Sequence, residues 1–265
     1  MKKVRKGIVL AGGSGTRLDP LTRATSKQLL PVYNKPMVFY PISTLISLGV
    51  YDIAIITTPL HRKAYERLLG DGSQWGVRFT YIVQAEPKGL PHGLLLAKGF
   101  LDGSSLVLIL GDNIMHLPNM SQSLERAFAA EQGATLVGYE VDDPSKYGVV
   151  KFGDDTTGDN RHIVDLVEKP RVHISNTAII GLYFFDAKAV ALAETLSPSS
   201  RGELEILDLA KEYLKAGSLS LISTANDCSW FDAGSFESLH DASVFVRNHE
   251  IKTGQRFGDP GAERF

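Results

Sequence analysis

The chain has 265 residues, 43% of them hydrophobic and 22% charged, with a formal net charge of −2 and a single cysteine, Cys228. That length can form one large domain with a sizeable core, and the near-neutral charge excludes a broad basic surface for nucleic acid. One cysteine excludes an internal disulfide framework and fits a reducing, cytoplasmic setting.

The first residues are basic, but the apolar run behind them is too short for a signal peptide, and no stretch has the length of a membrane span. A strand is expected over 8–10, emptying into Ala11-Gly12-Gly13-Ser14-Gly15-Thr16-Arg17-Leu18. Glycines lack a Cβ, so backbone N–H groups of such a turn can approach phosphate oxygens closely. Arg17 and, further on, Lys27 add two positive charges, which suits a nucleoside triphosphate. The spelling is neither the dinucleotide fingerprint, which needs a glycine where Leu18 stands, nor the P-loop, which needs Gly-Lys-Ser/Thr.

Helices are predicted over 37–48, stopped by Gly49, and over 59–69, with Thr58 as N-cap and Pro59 in the first turn. Strands are predicted over 53–57, 79–84 and 106–110, with a helix over 91–100 between the last two. This alternation with near-continuous apolar strands reads as a mainly parallel sheet covered on both faces, whose ligands gather at the carboxyl ends of the strands. Both the glycine turn and Gly111-Asp112-Asn113 leave strands at that edge. Asp112 there suits an Mg²⁺ ligand, or else a cap of the following turn.

The second half reads as strands over 134–139, 148–152, 163–167 and 178–185 with few helices between, suggesting antiparallel additions, and 153–160 as a hairpin tip. Helices return over 200–215, where Ser200 and Glu203 fit a capping box and Gly217 a C′ stop, and over 236–249. Asp232, in Trp230-Phe231-Asp232-Ala233-Gly234, is either a second metal-facing acid or the N-cap of the last helix. Glu168-Lys169-Pro170 reads locally as a solvated turn, and Arg201-Gly202-Glu203-Leu204-Glu205 as a helix start. His92 and His116 lack zinc-site spacing, and there is no H-E-x-x-H, C-x-x-C or G-x-S-x-G, so metalloprotease and covalent hydrolase chemistry have no support.

Taken in order, these segments, with Ser26-Lys27-Gln28-Leu29-Leu30-Pro31, Lys35-Pro36-Met37, Leu69-Gly70-Asp71-Gly72-Ser73-Gln74-Trp75-Gly76, Tyr147-Gly148-Val149-Val150 and Gly181-Leu182-Tyr183, resemble the sugar-phosphate nucleotidylyltransferases. Within that family the bacterial glucose-1-phosphate thymidylyltransferases are the most similar group. The resemblance runs from about residue 6 to about residue 245 and raises Glu168, Lys169 and Tyr183 above their local reading. It implies the nucleotide-diphospho-sugar transferase fold: Rossmann-like α/β, a mixed, mainly parallel central sheet flanked by helices, with an antiparallel sugar-binding extension. One domain over 1–265 is expected, with a nucleotide-binding part over about 1–115, a sugar-binding part over about 134–235 and a shortened helical part over about 236–265.

The implied reaction joins dTTP and α-D-glucose 1-phosphate into dTDP-glucose and pyrophosphate with Mg²⁺, opening a deoxysugar route such as that to dTDP-rhamnose. By the same resemblance Arg17, Lys27, Asp112 and Lys169 are catalytic. Leu10, Gly12, Gly13, Ser14, Gly15, Thr16, Gln28, Gln84, Pro87 and Gly89 join Arg17, Lys27 and Asp112 around the nucleotide, with Gln84 and Gly89 at the pyrimidine-reading positions. Asn113, Tyr147, Gly148, Glu168, Lys169, Ile179, Tyr183 and Trp230 face the sugar phosphate, and Asp112 and Asp232 hold Mg²⁺. A cytoplasmic homo-oligomer, dimer or tetramer, acting on neither nucleic acid nor membrane, is expected.

The chain departs from the family where Gly-Leu-Ala-Gln-Ala reads Gly89-Leu90-Pro91-His92-Gly93, a change that removes a backbone donor and an amide beside the base. It departs again at Ile179-Ile180, usually Val-Thr, and at Met115-His116-Leu117-Pro118, usually Phe-Tyr-Gly-His. UTP or another hexose 1-phosphate is the alternative substrate set, and a non-catalytic nucleotide-sugar-binding regulator is the alternative class. Longer relatives extend past the position of Phe265 with a helical segment that helps build a regulatory site, so weakened feedback by dTDP-rhamnose is expected.

Overall fold

The computed structural model describes residues 5–13, 15–153 and 162–262. In chain order it runs β1 (Lys6–Ala11), β2 (Pro31–Val32), β3 (Lys35–Pro36), α1 (Phe39–Ser47), β4 (Asp52–Thr57), α2 (Arg62–Leu69), β5 (Arg78–Val83), α3 (Leu90–Leu96), α4 (Lys98–Leu101), β6 (Leu106–Leu110) and β7 (Asn113–His116). There follow α5 (Ser121–Ala129), β8 (Ala134–Glu140), β9 (Gly148–Phe152), β10 (Ile163–Glu168), β11 (Thr177–Phe185), α6 (Ala189–Ala193), α7 (Ile206–Lys215), β12 (Leu219–Ser223), β13 (Ser229–Asp232) and α8 (Phe236–Thr253).

Runs such as Ile8-Val9-Leu10 and Leu106-Val107-Leu108-Ile109 are apolar at every position because both faces of the sheet are covered. β5, β4, β1 and β6 pair in parallel, β11 runs antiparallel beside β6, and β9 and β10 continue the nine-stranded sheet, with β8 and β12 branching from β11. Val9, Ile53, Ile55 and Phe184 face α1 and α2, whereas Ile8, Ala54, Leu108 and Phe185 face α3, α6 and α7. The fold is therefore mixed α/β with a mainly parallel centre and antiparallel additions, although β12 joins β8 in parallel. Among the described residues no helix is long and apolar enough to cross a membrane.

Phe184 is 1% exposed where β11 lies between β6 and β8. Phe184→Ala is expected to cost about 3–5 kcal/mol of stability. A urea titration checks this as a lower midpoint at unchanged slope, and a loss below about 1 kcal/mol would place Phe184 outside the packed core.

Several boundaries differ from the sequence reading. α2 starts at Arg62, not in the Thr58-Pro59 turn, and the Thr58 hydroxyl meets His61 Nδ1 at 2.9 Å instead of capping the helix. The helix predicted over 91–100 is two, α3 and α4, broken at Ala97, whose ψ is 2°. Pro91 lies in the first turn of α3, where its missing N–H has no helical acceptor to lose. No capping box forms at Ser200 and Glu203. Ser199 instead donates to Glu205 Oε1 at 2.6 Å and α7 begins only at Ile206, while Gly217 does close the helix at φ +65°. Ser235, not Asp232, caps α8, accepting from Ser238 N at 3.2 Å. β7, α5, α6, β12 and β13 went unforeseen. Gly153 leaves β9 toward the predicted hairpin tip, whose residues 154–160 lie outside the described residues.

The short antiparallel ribbon of β7 and β13 positions the site. It pairs Asp232 with Asn113 and Trp230 with Met115. Ala242 and Val246 of α8 pack with Ile114 of the ribbon and Ala233 just after it, and with Val32 and Met37 before α1. Glu250 fastens the far end of α8, accepting from Lys35 Nζ and Asn34 Nδ2, both at 2.7 Å, and from Phe257 N at 3.0 Å.

Candidate active site

The carboxyl ends of β1 and β6 open into a cleft of about 340 Å³, closed on the far side by β9, β10, β11 and the loop before α7. At its floor Lys27, from a single 3-10 turn, hydrogen-bonds Asp112 Oδ2. Burial alone would raise the Asp112 carboxyl, but the Lys27 ammonium and the amide of Asn113 hold it below its ordinary value. Asp232 stands across from it on β13. Burial, followed by the negative charge of Asp112, pushes its carboxyl up to about 6, against the opposing pull of Lys27, Arg17 and Lys169. Arg17 Nη2 is 4.0 Å from Asp232 Oδ2. A Cβ on Gly234 would stand 2.7 Å from that nitrogen, so a side chain there would push the guanidinium aside.

Gly12 and Gly13 line the cleft directly above these charges, with Leu10 behind them. A Cβ on Gly13 would lie 3.7 Å from Lys27 Nζ, and one on Gly12 would lie 3.0 Å from Gln84 Oε1. The turn therefore runs from an ammonium to an amide within two residues. Gln28 borders the floor but is 2% exposed, its amide oxygen accepting from Ser26 Oγ at 2.7 Å. Gly15 and Thr16 stand back from the cleft lining. Gly15, at φ +65°, begins the turn that carries Arg17, and Ser14 lies outside the described residues.

Gln84 and Pro87 flank Gly89, whose φ is +94°. Gly89 bridges in parallel to Leu204, and Leu204 N donates to Lys88 O at 3.0 Å. A side chain at Gly89 would collide with the carbonyl of Leu204. On the far wall Gly148 and Glu168 pair across β9 and β10. Glu168 Oε1 is 3.4 Å from Arg201 Nη2 and 3.6 Å from Lys169 Nζ. Lys169 holds the left-handed conformation, φ +46°, rare outside glycine, with its N–H donating to Tyr147 O at 2.9 Å. Tyr147 packs on Trp230 with ring centroids 4.9 Å apart. Ile179 and Tyr183 of β11 complete the wall, and burial raises the Tyr183 phenol well above its usual value.

Asn113 lines the cleft at 1% exposure with its carbonyl oxygen already engaged. It accepts from Trp230 Nε1 at 2.7 Å and Gly181 N at 3.0 Å, while its Nδ2 donates to Asp112 Oδ1 at 3.2 Å. It joins three chain segments and orients the acid. Sequence reasoning missed Lys146 and undervalued Arg201 and Glu205, which line the same cleft. Arg201 grips Glu205 through Nε at 3.1 Å and Nη2 at 2.7 Å. The motif holding Arg201 and Glu205 was a usable signal. Lys146 follows Asp143 in an exposed turn and offers none.

This cleft joins a glycine turn, two cations and two carboxylates at one end to Lys169 and Arg201, ion-paired with Glu168 and Glu205, at the other. It can hold two phosphate-bearing ligands side by side and neutralise charge between them. Residues 6–249 match the family Nucleotidyl transferase. The chain is 49% identical over 250 residues to the glucose-1-phosphate thymidylyltransferase of Xanthomonas campestris pv. campestris, covering 94% of this chain and 83% of that protein. A crystal structure named as a glucose-1-phosphate thymidylyltransferase from Bacillus anthracis, in complex with sucrose, superposes with a TM-score of 0.85 at 37% identity, over 96% of this chain and 99% of that one. A UDP-glucose pyrophosphorylase complexed with UDP-glucose gives 0.76 at 25% identity, over 93% and 99%. Fold, cleft and sequence together make this chain a member of the nucleotidyl transferase family, among its glucose-1-phosphate thymidylyltransferases.

Proposed function

We propose that the protein joins dTTP to α-D-glucose 1-phosphate, releasing pyrophosphate and dTDP-glucose, the entry step of a dTDP-deoxysugar route. The observation that carries this reading is one cleft with Arg17 and Lys27 at the glycine turn and Lys169 and Arg201 on the opposite wall. The sugar phosphate oxygen attacks the α-phosphorus in line, the new P–O bond forms, and the bond to the leaving pyrophosphate breaks. Positioning and charge neutralisation, not a covalent catalyst, drive such a transfer. Arg17 and Lys27 hold the triphosphate and follow the charge that builds on the leaving pyrophosphate. Lys169 meets the sugar phosphate, while Glu168, the backbone of Gly148 and Ile179, and Tyr183 orient the sugar. Gln84 and Gly89 meet the pyrimidine.

Asp112 and Asp232 suit Mg²⁺. Two hard carboxylates face one another across the cleft, with burial first and the charge of Asp112 second pushing Asp232 up to about 6, and magnesium needs few protein oxygens beside phosphate and water. When bound, Mg²⁺ neutralises charge on the α-phosphate. We take the working enzyme to be a cytoplasmic homo-oligomer.

The test is pyrophosphate release with Mg²⁺ across dTTP, UTP, CTP and ATP against several hexose 1-phosphates. A maximum at dTTP with glucose 1-phosphate is expected, and Lys169→Ala should lower that rate by about 10²-fold or more. A maximum at another pair moves the specificity, and no release with any pair ends the enzymatic reading.

A further inference from the structure

Gln84 lies at the end of β5, 8% exposed, with its side chain in the cleft. Its Nε2 lies 3.3 Å from Gly89 O and 3.1 Å from His92 Nδ1. A backbone carbonyl can only accept, so the end of the amide facing Gly89 is the NH₂ group. One of its protons goes to Gly89 O. The other points at His92 Nδ1, which must then carry a lone pair, leaving the ring proton on Nε2. Both amide donors are thereby engaged, and Oε1 faces the glycine turn beside Gly12 with no hydrogen bond among the described residues.

From these contacts we infer that His92 is a specificity-determining positioning residue: it locks the Gln84 amide with its oxygen toward the base. His92 does not itself line the cleft. It is carried on the first turn of α3, and Gly93 beside it lets the helix approach β1, since a Cβ there would stand 2.6 Å from Leu10 Cδ2. The inference rests on the proposed placement of the pyrimidine against Gln84.

The chemical consequence is a filter. An acceptor fixed in a buried wall rewards a base that presents an N–H on its ring edge, as thymine and uracil do at N3. Cytosine presents a lone pair there, so two acceptors would face each other. Without His92, Gly89 O still takes one proton at 3.3 Å and disfavours the flipped amide, but one of the amide's two anchors is gone, so the NH₂ end is turned toward the base more often. A site built around one fixed polar group discriminates far better than one whose polar group can turn. His92 therefore acts on the choice between nucleotides more than on the rate with the right one.

The experiment measures kcat/KM for dTTP and for CTP, with glucose 1-phosphate fixed, in the wild type, His92→Leu, His92→Ala and His92→Asn. Leucine keeps most of the bulk and removes the acceptor; alanine removes both; asparagine restores an acceptor near Nδ1. The dTTP-over-CTP ratio is expected to fall about tenfold in the leucine and alanine variants and to return in asparagine, as the loss of one buried orienting hydrogen bond would give. Most of the change should lie in KM for the nucleotide. A ratio that stays at the wild-type value while both rates fall together makes His92 a packing residue and overturns the inference. If leucine fails to fold, the alanine and asparagine pair decides by the same ratio. Failure of the underlying placement looks different: Gln84→Ala would leave the dTTP-over-CTP ratio of the otherwise wild-type chain unchanged.

Discussion

Replacing Lys27 by methionine is expected to lower kcat by about 10²–10³-fold, the usual cost of deleting one charge that follows the transition state. It should also weaken the fold. The Lys27 and Asp112 side chains are 12% and 10% exposed, so each is the other's main answer to burial. Taking away the cation leaves Asp112 buried opposite Asp232, and breaking such a pair costs about 3–5 kcal/mol. The two losses separate in the double variant Lys27→Met, Asp112→Asn. Removing the stranded charge should return much of the stability while turnover stays lost. Urea titration and pyrophosphate release on the three proteins check this. A double variant as unstable as Lys27→Met would show that the pair is not what holds these residues in place.

The second large effect is expected at Gly89→Ala. A left-handed φ of +94° is costly for alanine, by about 1–2 kcal/mol, but sterics dominate. The new methyl group would collide with the carbonyl of Leu204 and sit 2.8 Å from its nitrogen. The 87–89 loop must then part from the segment before α7, breaking the bond from Leu204 N to Lys88 O and moving the carbonyl that anchors Gln84. KM for the nucleotide should rise about tenfold or more, whereas KM for the sugar phosphate should change little. Titrating each substrate in turn checks it. An unchanged nucleotide KM would mean that this loop does not border the base.

The parallel half of the fold was legible because its strands are buried on both faces and spell themselves as unbroken apolar runs. The glycine turn and Asp112 were legible for a related reason: they leave strand ends, where such sheets place ligands, whereas Lys27, on a 3-10 turn, stood out by its charge. The ribbon of β7 and β13 was not. Each strand is four residues long, and each takes its burial from a partner such as Trp230, whose indole reaches Asn113 across 117 residues of sequence. No local pattern encodes that pairing. The start of α7 was misread because Ser200 and Glu203 match a cap by spacing, while in space Arg201 and Glu205 are drawn off to Glu168 and Ser199. Local propensity lost there to a long-range ion pair.

The pairing of Asp232 with Asn113 has a consequence for the order in which the protein becomes complete. Asp112 leaves the ribosome early, within an apolar sheet that can begin to collect as soon as β1, β4 and β6 have been made. Its acidic counterpart comes only with β13, and the helix that presses β13 into register comes later still. A nascent chain halted between β6 and β13 would carry the glycine turn, Arg17 and Lys27 yet lack the second carboxylate. Synthesis therefore delivers the glycine turn and its two cations first and completes the facing pair of carboxylates only near the end.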